Sequence, residues 1–169
     1  LANRLNIAKQ YKSVNRAGDM FAGMFLRVPK TCEISFVDAG GVPGEWIGHA
    51  GPDSGRRIFF IHGGGYVLFS TKIYRDLIYR IARASDARVL AVNYRLAPEH
   101  PHPAAVDDVM AAYRRILETG VKPSRVAVMG DSAGGGLTLV LLQKLRDKKL
   151  PLPACAVCLS PWTDLTLSG

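Results

Sequence analysis

From residue 57 onward, short unbroken apolar runs alternate with longer stretches of helical period. Residues 58–61 form the first run, followed by Gly63-Gly64-Gly65 and a predicted helix in which Ile73, Leu77, Ile81 and Ala84 share one face. Residues 89–92 are a second run. After a proline-rich loop, Val106, Val109, Met110, Tyr113, Ile116 and Leu117 mark another helix, closed by Gly120 in a C-cap position. Residues 126–129 make a third run, 132–145 a strongly apolar helix, and 156–159 a fourth run. Runs that do not alternate read as strands buried on both sides. Strands joined by successive crossover helices demand a mostly parallel sheet with helices on both faces, an α/β architecture.

The chain before residue 57 reads differently. Leu5, Ala8, Met20, Phe21, Met24 and Phe25 recur at helical spacings with basic residues between them, until Pro29 breaks the pattern. One or two short amphipathic helices lying over something else are predicted there. Residues 33–37 alternate like a strand, 38–44 carry turn chemistry, and 45–50 supply a hairpin partner.

At 169 residues and 48% hydrophobic, the chain is one domain or part of one and can bury a core, which excludes wholesale disorder. Lysine and arginine number 22 against 14 acidic residues, a net +8 that would ordinarily raise nucleic acid or an anionic membrane as partner. The charges are scattered, however. Their densest cluster, Lys144, Arg146, Lys148 and Lys149, falls where a helix ends and cations meet its dipole favourably. No nucleic-acid partner is therefore expected. No apolar run approaches membrane-spanning length and no secretory leader is visible. The three cysteines, Cys32, Cys155 and Cys158, are too few for a disulfide framework and fit a reducing compartment or no particular one; the expected location is cytoplasmic.

In open sheets of this kind, ligands sit beyond the carboxyl ends of the strands. Three segments fall there: 62–66, 130–135 and 160–162. Gly130-Asp131-Ser132-Ala133-Gly134 is a G-x-S-x-G sequence between a strand and a helix, the context that motif requires. A sharp turn of that type strains the central residue, and side chains two positions either side would strike the neighbouring chain. Ser132 is thereby lifted above the sheet at a helix N-terminus, as an exposed nucleophile. Its attack on an ester carbonyl creates an oxyanion that needs preorganised N–H donors. The N–H of Ala133 can supply one, and the glycine run others, because backbone without side chains approaches a small anion closely. A phosphate-binding loop fits worse, since neither Gly-Lys-Ser/Thr nor G-x-G-x-x-G follows the first strand.

His62-Gly-Gly-Gly65, Tyr94-Arg-Leu-Ala-Pro-Glu-His100 with Pro103-Ala-Ala105 and Asp107-Asp108, Gly130-Asp-Ser-Ala-Gly-Gly135 and Ser160-Pro-Trp-Thr-Asp164 occur in that order. Together they resemble the hormone-sensitive-lipase-like branch of the α/β hydrolases, mostly microbial carboxylesterases, from about residue 57 to the end. The resemblance implies an α/β-hydrolase fold with Ser132 as nucleophile and Gly64, Gly65 and Ala133 as oxyanion donors. It implies His62 as a loop-orienting residue, and an N-terminal segment up to about Phe25 that belongs to the cap over the acyl site. An apolar face that simply covers core is the other reading of that segment. Residues 1–30 are thus expected as an N-terminal cap segment and 31–169 as the front part of a catalytic domain. The implied substrates are short to medium acyl esters; no metal or cofactor is needed, and a homodimer is left open. Cys155 and Cys158 read as strand residues rather than zinc ligands, because no second pair exists.

In this fold the triad partners follow the nucleophile in the order serine, acid, histidine. After Ser132 only Asp147 and Asp164 remain, and all four histidines, His49, His62, His100 and His102, precede it. His100 and His102 lie in a loop at the correct edge, but Pro98, Pro101 and Pro103 give that loop a structural character. Asp164 reads as a loop brace. The expectation is that the acid and histidine come from sequence beyond residue 169, and that the last strand has an unpaired edge where further strands belong. A non-catalytic small-molecule binder on the same fold is the alternative; the plant gibberellin receptors, which resemble this family, keep the serine and lack the histidine.

Overall fold

Local pattern and sheet order agree closely. The computed structural model describes residues 2–25 and 28–166. In chain order its elements are α1 (Ala2–Phe25), β1 (Cys32–Asp38), β2 (Pro43–His49), β3 (Arg57–Ile61), α2 (Thr71–Ser85), β4 (Arg88–Val92), α3 (Ala104–Glu118), β5 (Val126–Asp131), α4 (Ser132–Asp147) and β6 (Cys155–Leu159). The strands form one sheet in the order β1-β2-β4-β3-β5-β6. β4, β3, β5 and β6 run parallel, while the β1–β2 hairpin joins β4 antiparallel.

The parallel strands are held between two apolar layers. Phe59, Ile61, Leu90, Val92, Val126 and Val128 face α3 and α4 through Val109, Tyr113, Ile116, Leu137, Leu141 and Leu145. Ile58, Phe60, Val89 and Ala91 face α2 through Ile78, Tyr79 and Ala82. Alternate residues of β3 and β4 thus point into opposite layers, and both must be apolar, which is why these runs do not alternate. Gly120 has φ +87 one residue past the Thr119 cap of α3, and its N–H bonds the carbonyl of Leu117 at 3.0 Å, ending the helix.

Three expectations need correction. The first is the N-terminal segment, which is one 24-residue helix rather than short pieces. Its described apolar residues Met20, Phe21 and Met24 are exposed, and the side chains of Leu5, Ala8 and Phe25 lie outside the described residues. Contact with α2 and the loop before it runs instead through Asn15, Gly18 and Asp19, where a small residue and two hydrogen-bonding side chains permit close approach. The second is the buried face of α2. Leu77 and Ala84 are exposed; Thr71, Ile78, Tyr79 and Ala82 are buried. Polar residues sit on that face because the buried Glu45 carboxylate of β2 accepts from Thr71 Oγ1 at 2.9 Å and from Arg75 Nε at 2.7 Å and Nη2 at 2.8 Å. The third is β6, whose residues are mostly exposed rather than buried on both faces. It stands at the sheet edge, packed mainly by β5 and α4. Neighbouring residues of a strand alternate faces, so Cys155 and Cys158 of this strand point to opposite sides.

Candidate active site

β5 ends at Asp131 and α4 begins at Ser132, with no residue between them. The chain reverses direction at Ser132, whose φ of +51° lies in the left-handed region that side-chain-bearing residues avoid. The turn is tight enough to press backbone against backbone. A Cβ on Gly130 would stand 2.3 Å from the carbonyl oxygen of Gly134, and one on Gly134 would stand 2.0 Å from that of Ile61. Both motif glycines are therefore required by close approach. Ser132 is exposed at the start of α4. Ala133 follows it, its side chain buried and its N–H in the first helical turn, where no intrahelical acceptor is available.

The glycine loop leaves β3 alongside this turn. The N–H of Gly63 donates to Asp131 Oδ1 at 2.9 Å, and the Tyr74 hydroxyl of α2 donates to Asp131 Oδ2 at 2.9 Å. Burial and the neighbouring Asp131 carboxylate push the Tyr74 phenol well above its ordinary value, so it remains a donor. Gly64 and Gly65 have φ of +112° and +62°, and a Cβ on Gly64 would lie 2.1 Å from the carbonyl oxygen of Leu68. Both positions favour glycine for their conformation, and Gly64 for space as well. Among the described residues, no acceptor engages the N–H of Gly64, Gly65 or Ala133.

His62 is buried beneath this loop. Its Nδ1 bonds the Gly63 carbonyl at 2.7 Å and its ring stacks on Tyr94 at 4.4 Å between centroids. The Tyr94 hydroxyl in turn donates to the His62 carbonyl at 2.8 Å. Because a carbonyl can only accept, Nδ1 carries the proton. Burial lowers the His62 pKa to about 4, leaving the ring neutral. The ring is thus bonded to the glycine loop from below, through Gly63.

The third segment closes over the other side. The N–H of Trp162 donates to the Ser132 carbonyl at 2.8 Å, and a Cβ on Gly136 would stand 2.5 Å from the Trp162 carbonyl oxygen. The Trp162 ring stacks with Tyr66 at 5.9 Å. Asp164 is a local brace, its carboxylate accepting from Thr166 N at 2.9 Å and Oγ1 at 2.6 Å. The three predicted segments thus meet at one edge. The remaining histidines do not join them by any hydrogen bond among the described residues. His49 pairs with Asp86 at 3.4 Å at the other edge of the sheet, while His100 and His102 are exposed in the loop after β4. Asp131, Tyr74 and Asn15 escape sequence reasoning, because each acts through a partner about fifty or more residues away; only Asp131, inside the serine motif, carried a positional hint.

The sequence profile of a family described as alpha/beta hydrolase fold matches residues 58–169, and the chain belongs to that family. It is 50% identical over 133 residues to an acetyl-hydrolase of Streptomyces hygroscopicus, covering 79% of this chain and 44% of the relative. An ethyl acetate hydrolase of Pseudomonas putida is 37% identical over 116 residues, covering 66% of this chain and 36% of the relative. Among solved structures, an esterase from the bacterial hormone-sensitive lipase family superposes with a TM-score of 0.86 at 44% identity, over 92% of this chain and 52% of that one. The chain spans about half the length of the relatives it matches.

Proposed function

We propose that the chain is the front part of a serine carboxylic ester hydrolase acting on short to medium acyl esters. The observation that carries this reading is an exposed serine at φ +51° on a helix N-terminus, with the glycine loop tethered beside it through the 2.9 Å bond from Gly63 to Asp131. The names of the acetyl-hydrolase and ethyl acetate hydrolase relatives support small acyl groups.

In this reading Ser132 Oγ attacks the ester carbonyl, forming the C–O bond of a tetrahedral intermediate. Its oxyanion is received by the N–H groups of Gly64, Gly65 and Ala133. Collapse expels the alcohol and leaves an acyl group on Ser132, which water then removes. Removing one donor of such a set typically costs about 2.7 to 4 kcal/mol of transition-state stabilisation. A histidine, oriented by a carboxylate, moves the protons. His62 is unsuited to that task, being buried, neutral and committed to Gly63. The base and acid are therefore assigned to sequence beyond residue 169, together with strands that would continue the sheet at β6, where Val157 and Leu159 are exposed. Residues 1–30 are assigned to the cap, a reading supported by the exposed Ile7, Val14, Met20, Phe21 and Met24 of α1. No helix among the described residues is long and apolar enough to cross a membrane. A cytoplasmic location belongs to the same reading, supported by three free cysteines.

The test is hydrolysis of p-nitrophenyl acetate and butyrate by the complete polypeptide and its S132A variant. The expected result is turnover that falls about 10⁴-fold or more in S132A. Turnover that survives S132A, or ligand binding with no turnover in the parent, overturns the reading; the latter outcome supports a receptor-like binder.

A further inference from the structure

We propose that Asn15 is a positioning residue that couples the N-terminal helix to the oxyanion donors; this rests on the hydrolase reading above. Its side chain makes two backbone hydrogen bonds to the segment that follows the glycine loop. Nδ2 donates to the Val67 carbonyl at 3.1 Å, and Oδ1 accepts from the Phe69 N–H at 2.7 Å. One amide thus satisfies an acceptor and a donor two residues apart, and only one orientation of the amide serves both.

That segment needs holding. Tyr66 and Phe69 have φ of +66° and +78°, both in the region that residues with side chains avoid. Its other backbone hydrogen bond to a distant part of the chain, among the described residues, comes from the Ala97 N–H, which donates to the Tyr66 carbonyl at 2.8 Å, and the Tyr66 and Phe69 rings pack on Trp162 and Tyr74. Inside the loop, the N–H groups of Val67 and Leu68 both donate to the Gly64 carbonyl, at 3.1 and 2.9 Å. That carbonyl and the N–H of Gly65 belong to the same planar peptide group. Whatever fixes residues 67 to 69 therefore fixes the direction in which the Gly65 N–H points. Asn15 reaches this unit from α1, so its own two bonds set the aim of a donor that Asn15 does not itself touch.

A second latch offers a control. Asp19, one helical turn further along α1, accepts from the Ser70 hydroxyl and lies 3.9 Å from Lys72 Nζ. It secures α1 to the start of α2 without bonding residues 67 to 69.

The test compares N15A, N15D and D19A in the complete enzyme, reading kcat and KM for a short acyl ester, the affinity of a trifluoromethyl ketone, and the melting temperature. The ketone forms a serine-bound oxyanion, so its affinity reports the donors, whereas a merely structural role moves only the melting temperature. For N15A, kcat and ketone affinity are expected to fall together by about 10- to 100-fold, with KM within about twofold, as for a misplacement near 1 Å. N15D, which keeps the acceptor for Phe69 but opposes a carboxylate to the Val67 carbonyl, is expected to lose less than N15A. D19A is expected to keep ketone affinity within about twofold. Ketone affinity unchanged in N15A, or lost equally in N15A and D19A, overturns the proposal. A parent enzyme that neither hydrolyses the ester nor binds the ketone at Ser132 overturns the hydrolase reading itself, and is told apart by that control.

Discussion

Replacing Gly134 by alanine puts one methyl group where two backbones already meet. Its Cβ would stand 2.0 Å from the Ile61 carbonyl oxygen and 2.6 Å from that of His62, and neither neighbour is a side chain that could swing aside. Real Cβ contacts essentially never fall under 3.0 Å, so the start of α4 must part from the end of β3 by at least about 1 Å. Leu137, Leu141 and Leu145, all buried, ride on the same helix and resist the shift. Overpacking of this kind costs about 1 to 3 kcal/mol. Alanine's better helix propensity returns at most about 1 kcal/mol. In the proposed hydrolase reading catalysis is more sensitive, because Ser132 and Ala133 lie at the displaced end while Gly64 and Gly65 stay with β3; a shift near 1 Å costs about 10²-fold in rate. The assay is urea unfolding of the complete enzyme together with kcat/KM on a short acyl ester. G23A is the control, since nothing lies within 4 Å of a Cβ built there; it is expected to leave kcat/KM unchanged. G134A with parental stability and parental kcat/KM would refute the claim that this crossing aims the nucleophile.

Two further predictions concern stability. His62 has its ordinary value of 6.5 lowered to about 4 in the fold, so the unfolded chain takes up a proton between those values that the native state refuses. Its contribution is fully present above pH 6.5 and declines as pH falls toward 4, by about 3 kcal/mol in all; the pH dependence of urea midpoints should flatten by that amount in H62Q, and an unchanged dependence would contradict it. Arg75 neutralises the buried Glu45 carboxylate through bonds of 2.7 and 2.8 Å, so R75M is expected to cost about 3 to 5 kcal/mol and the E45Q/R75M pair clearly less. Additive losses in that double-mutant cycle would show that the two charges are not coupled.

The parts of this fold legible in the sequence are those set by local period and steric necessity. The short unbroken runs at 58–61 and 89–92 read as strands covered on both faces, and Gly130 and Gly134 announce a tight strand-to-helix turn because a Cβ at either would strike backbone. What escaped depends on partners distant in the chain. The buried face of α2 includes Thr71 and Arg75 because Glu45, 26 and 30 residues earlier, lies beneath it, and a search for apolar spacing instead selected Leu77 and Ala84. The helix α1 runs through Gly18, which a propensity argument would read as a break; the glycine is where Ile73 packs closest, 3.2 Å from a built Cβ. Asn15 carries no signal in its own neighbourhood, since both of its backbone partners belong to a loop more than fifty residues away.

The proposed hydrolase stands on Ser132 being an activated nucleophile that faces backbone donors. Treating the complete polypeptide with a fluorophosphonate and locating the adduct by peptide mass spectrometry tests it most directly. Stoichiometric modification of Ser132 is expected, with loss of esterase activity in parallel and no modification in S132A. An intact Ser132 after full inactivation, or an adduct on another residue, would contradict it.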